Sequence, residues 1–117
     1  MSDTTLSAHL VDIVTLLKAM GNERRFEILH YLSEEEKAVG ELEELVGLSQ
    51  SALSQHLARL RRDGMVKTRR DAQKIYYSLS DPRVSHLLTC LASMHGVGTD
   101  AEDVVAGGDS VTVLRTA

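Results

Sequence analysis

The side chains best suited to specific hydrogen bonding lie in the stretch GLSQSALSQHL, which spans residues 47–57. Its polar side chains include Gln50, Ser51, Ser54 and Gln55. A glutamine amide can form two hydrogen bonds with one adenine edge, and a serine hydroxyl can donate or accept. A basic run, ARLRR, follows directly. Adaptable polar side chains next to basic ones are typical of a surface that binds nucleic acid.

A helix has to position these side chains. Leu53, Leu57 and Leu60 recur at i, i+4 and i+7, which predicts one buried helix face. At about 100° per residue, Ser51, Gln55, Ala58 and Arg62 fall on the opposite face, with Ser54 beside them. A shorter helix is predicted over residues 39–46, with Gly47 ending it and Ser49 capping the next. Two short helices joined by a glycine-containing turn predict a helix-turn-helix.

A β-hairpin is predicted after this motif. Residues 65–70 and 75–79 are rich in Val, Thr, Ile and Tyr, and residues 71–74 join them. A helix-turn-helix followed by a hairpin is a winged helix, so we predict a mainly α fold with a small β-hairpin, in the order ααααββα. The basic wing suits contacts with phosphates or with the minor groove.

The net charge of −4 is unevenly distributed. Residues 49–79 hold seven basic and two acidic side chains, a formal charge of +5, which leaves −9 for the rest of the chain. Such a block indicates where a polyanion would bind. Beyond the four residues above, the predicted DNA-binding residues are Arg59, Arg62, Arg69, Arg70, Gln73 and Lys74.

Three assignments in this region have alternatives. Gln50 could instead satisfy N–H groups at the start of its helix. Lys67 could be ordinary charge on a strand surface. His56 lies toward the leucine side of its helix, so we expect it to pack and to form a structural hydrogen bond rather than to contact a base.

The first and last helices carry more apolar surface than one chain can cover. The first is predicted over residues 5–20, and a second, capped by Asn22, over residues 23–32. Asp81 and Pro82 begin the last helix, which runs to about residue 95. A partner chain is expected to cover the surplus. The predicted dimer interface comprises Leu10, Ile13, Val14, Leu17, Leu87, Leu88, Leu91 and Met94.

The composition sets the wider frame. We predict one domain over residues 1–96 and a disordered tail over residues 97–117, which is rich in Gly, Asp, Ser and Thr. The chain has no run of 18 apolar residues, and its first residues do not resemble a signal peptide. Its single cysteine fits a reducing cytoplasm.

The motifs resemble one known family. LLKAMGNERRFEILHYL and VGELEELVGLSQSALSQHLARLRRDGMVKTRRDAQKIYYSLSD are similar to the ArsR/SmtB family of small winged-helix repressors, and most similar to its NolR/HlyU-like branch. The resemblance covers roughly residues 10–95. It implies a homodimer built on the first and last helices, which binds an imperfect inverted repeat of double-stranded DNA. Two-fold symmetry would place two recognition helices about 34–36 Å apart.

The sensing sites known in this family do not match this sequence. The arsenic-type site would need cysteines in VGELEELVG, which has none. At the zinc-type site Asp81 matches, but Arg83 stands where a histidine would be, with Met94 and Val97 at the later pair. The thiol-type switch needs two cysteines, and Cys90 is at neither position. We therefore predict no metal and no cofactor, and the small-molecule effector is unknown.

Cys90 is predicted to be a buried structural thiol, with a disulfide between the Cys90 residues of two subunits as the alternative. We expect no enzyme, because the chain has no glycine-rich phosphate loop and no readable nucleophile with its base. Three alternatives to a simple repressor remain: a redox- or metal-responsive repressor of the same family, a winged-helix module that binds proteins, and a sensor of a small ligand at the dimer interface.

Overall fold

The structure, a computed structural model, describes residues 6–96. The chain forms two units, which divide after Ser80. In the first unit, a 3-10 turn at Ser7–His9 leads into the regular elements. These are α1 (Leu10–Met20), α2 (Glu23–Glu34), β1 (Lys37–Ala38), α3 (Val39–Val46), α4 (Gln50–Arg62), β2 (Val66–Asp71) and β3 (Lys74–Leu79). The second unit contains α5 (Pro82–Met94).

Helix α2 is the centre of the first unit, because it contacts α1, α3, α4 and β3. Asn22 caps it as predicted, since its side-chain oxygen accepts the Arg25 backbone N–H at 3.0 Å. The Arg25 guanidinium also donates to the carbonyl oxygens of Ala19 at 2.8 Å and Lys18 at 3.1 Å. These carbonyls end α1 and lack partners inside the helix, so Arg25 joins α1 to α2.

The predicted helix-turn-helix is confirmed. Gly47 ends α3 with a φ of 72°, a left-handed conformation that favours glycine, and its N–H donates to the Glu43 carbonyl at 2.9 Å. Ser49 then caps α4, because its hydroxyl accepts the Ala52 N–H at 3.2 Å. The predicted leucine stripe of α4 is buried in the core, which aliphatic side chains dominate. Its buried apolar residues in this unit are Leu16, Ala19, Met20, Ile28, Leu29, Leu32, Leu42, Val46, Leu53, Leu57, Leu60, Met65 and Val66.

The hairpin is confirmed as part of a three-stranded antiparallel sheet, which corrects the predicted element order. The strand order is β1-β3-β2, so β1 adds a strand between α2 and α3 that the predicted order lacks. It has only two residues, which is too short to show an alternating pattern. The hairpin turn is also tighter than predicted, because β2 and β3 extend to Asp71 and Lys74 and leave two residues between them. Ala72 in this turn has a φ of 59°.

In the second unit, α5 begins as predicted. The Asp81 carboxylate accepts the Arg83 backbone N–H at 2.9 Å, and Pro82 is the first helical residue. Gly96, with a φ of 77°, follows the helix. Residues 97–117, for which a disordered tail is predicted, lie outside the described residues. Between residues 6 and 96, no helix is both long and apolar enough to span a membrane.

Candidate nucleic-acid interface

The first turns of α4 present the polar residues that the sequence predicts. Gln50, Ser51, Ser54 and Gln55 are all exposed, whereas the leucines of the same helix are buried. Ser49 performs the capping role, and the Gln50 side chain forms no hydrogen bond within residues 6–96. The alternative in which Gln50 satisfies the helix terminus is therefore wrong. The four side chains form one surface that can donate and accept hydrogen bonds.

His56 is half-buried on α4, between this polar surface and the core. Partial burial lowers the pKa of its imidazole below the usual 6.5, and the nearby guanidinium groups of Arg25 and Arg24 lower it further. His56 is thus neutral at physiological pH. Its packing agrees with the prediction, but among the described residues it forms no hydrogen bond, so that part of the prediction is wrong.

The carboxyl end of α4 carries three arginines with different partners. Arg59 donates to the Asp63 carboxylate at 3.1 Å, and Arg62 lies 3.7 Å from the other Asp63 oxygen. Arg61 forms no ion pair in the part of the chain that the structure describes. Asp63 therefore offsets part of the charge of the basic block.

An open cleft separates α4 from the sheet. It has a volume of about 490 Å³ and is lined by Ser54, Ala58, Arg61, Arg62 and Tyr77. Two guanidinium groups and two hydroxyls make this cleft suitable for an anionic group such as a phosphate. Arg61 and Tyr77 are not among the DNA-binding residues predicted from the sequence. Helical spacing could have identified Arg61, because Ser54, Ala58 and Arg61 lie at i, i+4 and i+7 on one face.

The sheet register separates the two adjacent arginines of the wing. Arg69 pairs with Tyr76, and Arg70 pairs with Ile75. Because neighbouring residues of a strand point to opposite faces, Arg70 shares a face with Tyr77, which lines the cleft beside α4. Arg69 lies on the other face. The predicted cluster of wing residues is therefore divided between two faces.

Arg69 is held by an acidic residue from before β1. Its Nε and Nη2 atoms donate to the two Glu36 carboxylate oxygens, both at 2.8 Å, and its guanidinium carbon lies 4.4 Å from the centre of the Tyr76 ring. The pairing lowers the pKa of Glu36 and raises that of Arg69. Arg70, Gln73 and Lys74 are exposed and form no such contacts within residues 6–96.

Two apolar surfaces are also exposed, one in each unit. On α1, four large side chains are exposed, with Val11 reaching 79%: Leu10, Val11, Val14 and Leu17. On α5, Met94 is 75% exposed, and Leu87 and Leu91 are partly exposed. Ile13 is partly exposed, whereas Leu88 is 8% exposed within a single chain and contributes little accessible surface.

The next feature is the set of positions where the resembled family holds a metal or a thiol switch. Among the described residues, no group of three or more His, Cys, Asp or Glu side chains could hold a metal ion. The Asp81 carboxylate instead receives the Arg83 guanidinium, with the closest oxygen and nitrogen 2.6 Å apart, and this pairing lowers the pKa of Asp81. Cys90 is exposed, so the prediction of a buried thiol is wrong. It follows His86 by one helical turn, and its Sγ lies 4.0 Å from His86 Nε2.

Known proteins resemble this chain in sequence. The family model described as "Bacterial regulatory protein, arsR family" matches residues 22–68. The transcriptional activator HlyU of Vibrio cholerae is 54% identical over 82 residues, which are 70% of this chain and 76% of the relative. The nodulation protein NolR of Rhizobium meliloti is 55% identical over 85 residues, which are 73% of this chain and 70% of the relative.

Solved structures resemble it in fold. The transcriptional repressor BigR from Xylella fastidiosa matches with a TM-score of 0.75 and 33% identity, covering 80% of this chain and 96% of that one. A homodimeric winged helix-turn-helix DNA-binding domain from Mycobacterium bovis matches with a TM-score of 0.68 and 28% identity, covering 75% and 82%. The fold and site thus define a winged-helix, DNA-binding transcriptional regulator. Given the extent and identity of these matches, the chain belongs to the arsR family of bacterial regulatory proteins.

Proposed function

We propose that the protein is a homodimeric repressor that binds an inverted-repeat operator. The observation that carries this proposal is the exposed polar surface at the start of α4, next to a basic wing, in a helix-turn-helix. Among the relatives, the biofilm growth-associated repressor and BigR are described as repressors, and HlyU is described as an activator. A repressor needs only to occupy its operator, which this surface is equipped to do.

In the proposed complex, α4 lies in the major groove. Gln50, Ser51, Ser54 and Gln55 contact base edges, because their side chains can match more than one donor and acceptor pattern. Phosphate contacts fix the orientation without reading sequence. The residues assigned to phosphates or groove edges are Arg59, Arg61, Arg62, Arg70, Gln73 and Lys74. Arg59 and Arg62 would share their charge between the DNA and Asp63.

The exposed apolar surfaces support the dimer. Leucine and valine side chains exposed along α1 would leave water if a second copy covered them, and each such burial is worth roughly 1.5–3 kcal/mol when complete. The homodimeric relative gives a precedent for this assembly. A two-fold axis repeats the reading helix, so the operator would repeat as an inverted sequence.

We further propose that regulation is free of catalysis and takes place in the cytoplasm. The matched proteins are transcriptional regulators, and a protein that binds the chromosome must share its compartment. Unlike a winged helix that docks on proteins, this one concentrates basic side chains over α4 and the hairpin.

A redox-responsive repressor is a second candidate, supported by the exposure of Cys90. Because each chain has one cysteine, a disulfide must join the Cys90 residues of two subunits or join Cys90 to another thiol compound. Mild peroxide followed by non-reducing electrophoresis should then give a dimer band that reductant removes. A monomer band alone would contradict an intersubunit disulfide.

The main test is selection of bound DNA from a random pool, with and without EDTA and reductant. We expect enrichment of an inverted repeat whose half-site centres are about one helical turn apart. Loss of enrichment after EDTA would favour the metal-responsive alternative, and dependence on reductant would favour the redox one. A pool that shows no enrichment under any condition would contradict the proposed function.

A further inference from the structure

Glu36 and Arg69 form the most closely defined ion pair of the wing. They are 33 residues apart in sequence, and two parallel N–H···O hydrogen bonds of 2.8 Å join them. Such a bidentate pair fixes the orientation of both groups, because the guanidinium and the carboxylate are planar. The ring of Tyr76 also contacts the guanidinium through a cation–π interaction.

The pair connects two elements. Glu36 directly precedes β1, whereas Arg69 is in the middle of β2, with β3 between them. β1 contributes only Lys37 and Ala38 to the sheet, so its backbone pairing with β3 is short. The Glu36–Arg69 pair therefore bridges all three strands and adds to a weak backbone connection between the wing and the helix-turn-helix.

The same geometry directs Arg69 away from the candidate interface. Arg70, its neighbour, shares a face with Tyr77 and the cleft beside α4, and Arg69 occupies the opposite face. Glu36 takes the Nε–Nη2 edge of the Arg69 guanidinium, and an Asp71 carboxylate oxygen lies 4.0 Å from its Nη1. A phosphate would have to approach the remaining N–H groups beside two carboxylates, which disfavours a contact with Arg69. Arg70 has none of these partners within the described residues.

We propose that Arg69 is a positioning residue, which with Glu36 and Tyr76 fixes the wing so that Arg70 contacts DNA, and that Arg69 itself makes no DNA contact. This inference rests on the proposed DNA binding. It states that the affinity for DNA depends on the Glu36–Arg69 pair. It replaces the prediction from sequence that Arg69 itself binds DNA.

Two substitutions at Arg69 separate positioning from contact. Lysine keeps the charge that a phosphate would attract but cannot form the bidentate pair, so Arg69→Lys should weaken operator binding as much as Arg69→Ala does, by about 3- to 10-fold. If Arg69 contacted a phosphate directly, Arg69→Lys would instead keep most of the affinity for the operator. Binding is measured by fluorescence anisotropy on the selected operator.

Glu36→Gln tests the pair from its other side. It removes the charge that holds Arg69 and leaves Arg69 intact, so positioning predicts weaker binding, similar to that of Arg69→Ala. A variant with both Glu36→Gln and Arg69→Ala should bind the operator no more weakly than either single variant, because both substitutions remove the same interaction. If Glu36 merely kept Arg69 from the DNA, Glu36→Gln would instead strengthen binding and steepen its salt dependence.

Arg70→Ala provides the matched control, since Arg70 is the adjacent arginine on the other face. It should reduce the slope of log K against log salt by about 1.8, because each of the two subunits loses one phosphate contact worth about 0.9. Adding Arg69→Ala to this variant should change neither affinity nor slope further, because Arg69 acts through Arg70. A further reduction of the slope by about 1.8 would show that Arg69 contacts its own phosphate in each subunit and would overturn the inference.

Folding is monitored independently of binding. Circular dichroism and thermal unfolding of each variant report the folded fraction, and a salt slope does not depend on that fraction. If wild-type protein binds no DNA, the proposed function fails. If wild type binds, and Arg69→Lys or Glu36→Gln binds as well as wild type does, the positioning inference alone fails.

Discussion

At the level of single residues, the α4 and wing surface combines exposed polar side chains such as Gln55 with a paired arginine, Arg69, which Glu36 binds. Helical periodicity placed Leu53 inside and Gln55 outside because the backbone geometry of a helix fixes these directions. The Arg69–Glu36 pair could not be predicted, since it depends on a sheet register that joins positions 33 residues apart. The exposure of Cys90 could have been predicted, because Cys90 follows the polar His86 by one helical turn and lies on the same face. The prediction of a buried thiol overlooked this spacing.

Gln55 carries the first residue-level prediction. Gln55→Ala should lower affinity for the selected operator by roughly 1–3 kcal/mol and relax the preference at one base pair, because an amide that pairs with a base edge is lost. The salt slope should not change. Anisotropy titrations on operators that vary at each position measure both effects, and random DNA is the internal control. An unchanged isotherm on the operator would show that Gln55 does not read bases.

His56 carries a prediction about pH. Its folded-state pKa lies below 6.5, so the unfolded chain takes up a proton that the folded protein resists. Stability contributed by neutral His56 is therefore present above pH 6.5 and is lost as the pH falls through and below this value, by at most about 1.4 kcal/mol per pH unit. Urea unfolding at several pH values measures this loss.

His56→Gln is the control for this prediction, because the other histidines remain in the variant. The loss of stability below pH 6.5 should be smaller in His56→Gln than in wild type. Equal pH dependence in the two proteins would assign the effect to other groups.

At the level of elements, caps and turns made the helices predictable. Asn22, Ser49 and Asp81 each mark a helix start in the sequence, and each accepts the backbone N–H that its type predicts. The strand β1 was missed because two residues carry no pattern, and its existence depends on β3, far along the chain. The hairpin bounds differed because charged residues at its tip also pair as strand residues.

Gly47 carries the prediction at this level. Gly47→Ala should destabilise the protein by about 1–2 kcal/mol, because alanine resists the left-handed conformation that the turn requires. Gly40→Ala is the matched control: it lies within α3, and an added Cβ meets no atom within 4 Å. That variant should be neutral or more stable by up to about 1 kcal/mol. Denaturant unfolding of both variants tests the contrast, and equal stabilities would contradict it.

At the level of the whole molecule, excess apolar surface on the outer helices was readable from sequence, but its extent was not. Periodicity identified Leu10 and Leu17, and it also identified Leu88, which a single chain already buries. Val11 is the most exposed of these apolar residues, although the predicted interface omitted it. Burial depends on packing between elements, and a helical pattern alone does not define it.

Leu10→Asp tests the assembly. Leu10 is exposed in one chain, and an aspartate in the first turn of a helix suits the helix dipole, so the fold should tolerate it. A charge inside an apolar interface would disrupt the dimer, and operator affinity should fall at least 10-fold because two half-sites are no longer bound together. Analytical ultracentrifugation measures the mass.

Leu45→Asp is the matched control for the assembly test. It places the same charge on an exposed leucine of α3, outside the proposed interface, and should remain dimeric. Leu10→Asp that sediments as a dimer would contradict the interface on α1.

The position of β2 in the sheet has a consequence for solubility. With the order β1-β3-β2, β2 is an edge strand whose outer backbone groups are unpaired within the sheet and could add a strand from another copy. Lys67 and Arg70 are exposed on this strand and give it positive charge, whereas Glu36 offsets the charge of Arg69, and two such edges repel each other. The basic wing would therefore protect the protein from edge-to-edge aggregation whenever DNA is absent, and variants that neutralise it should scatter more light as their concentration rises.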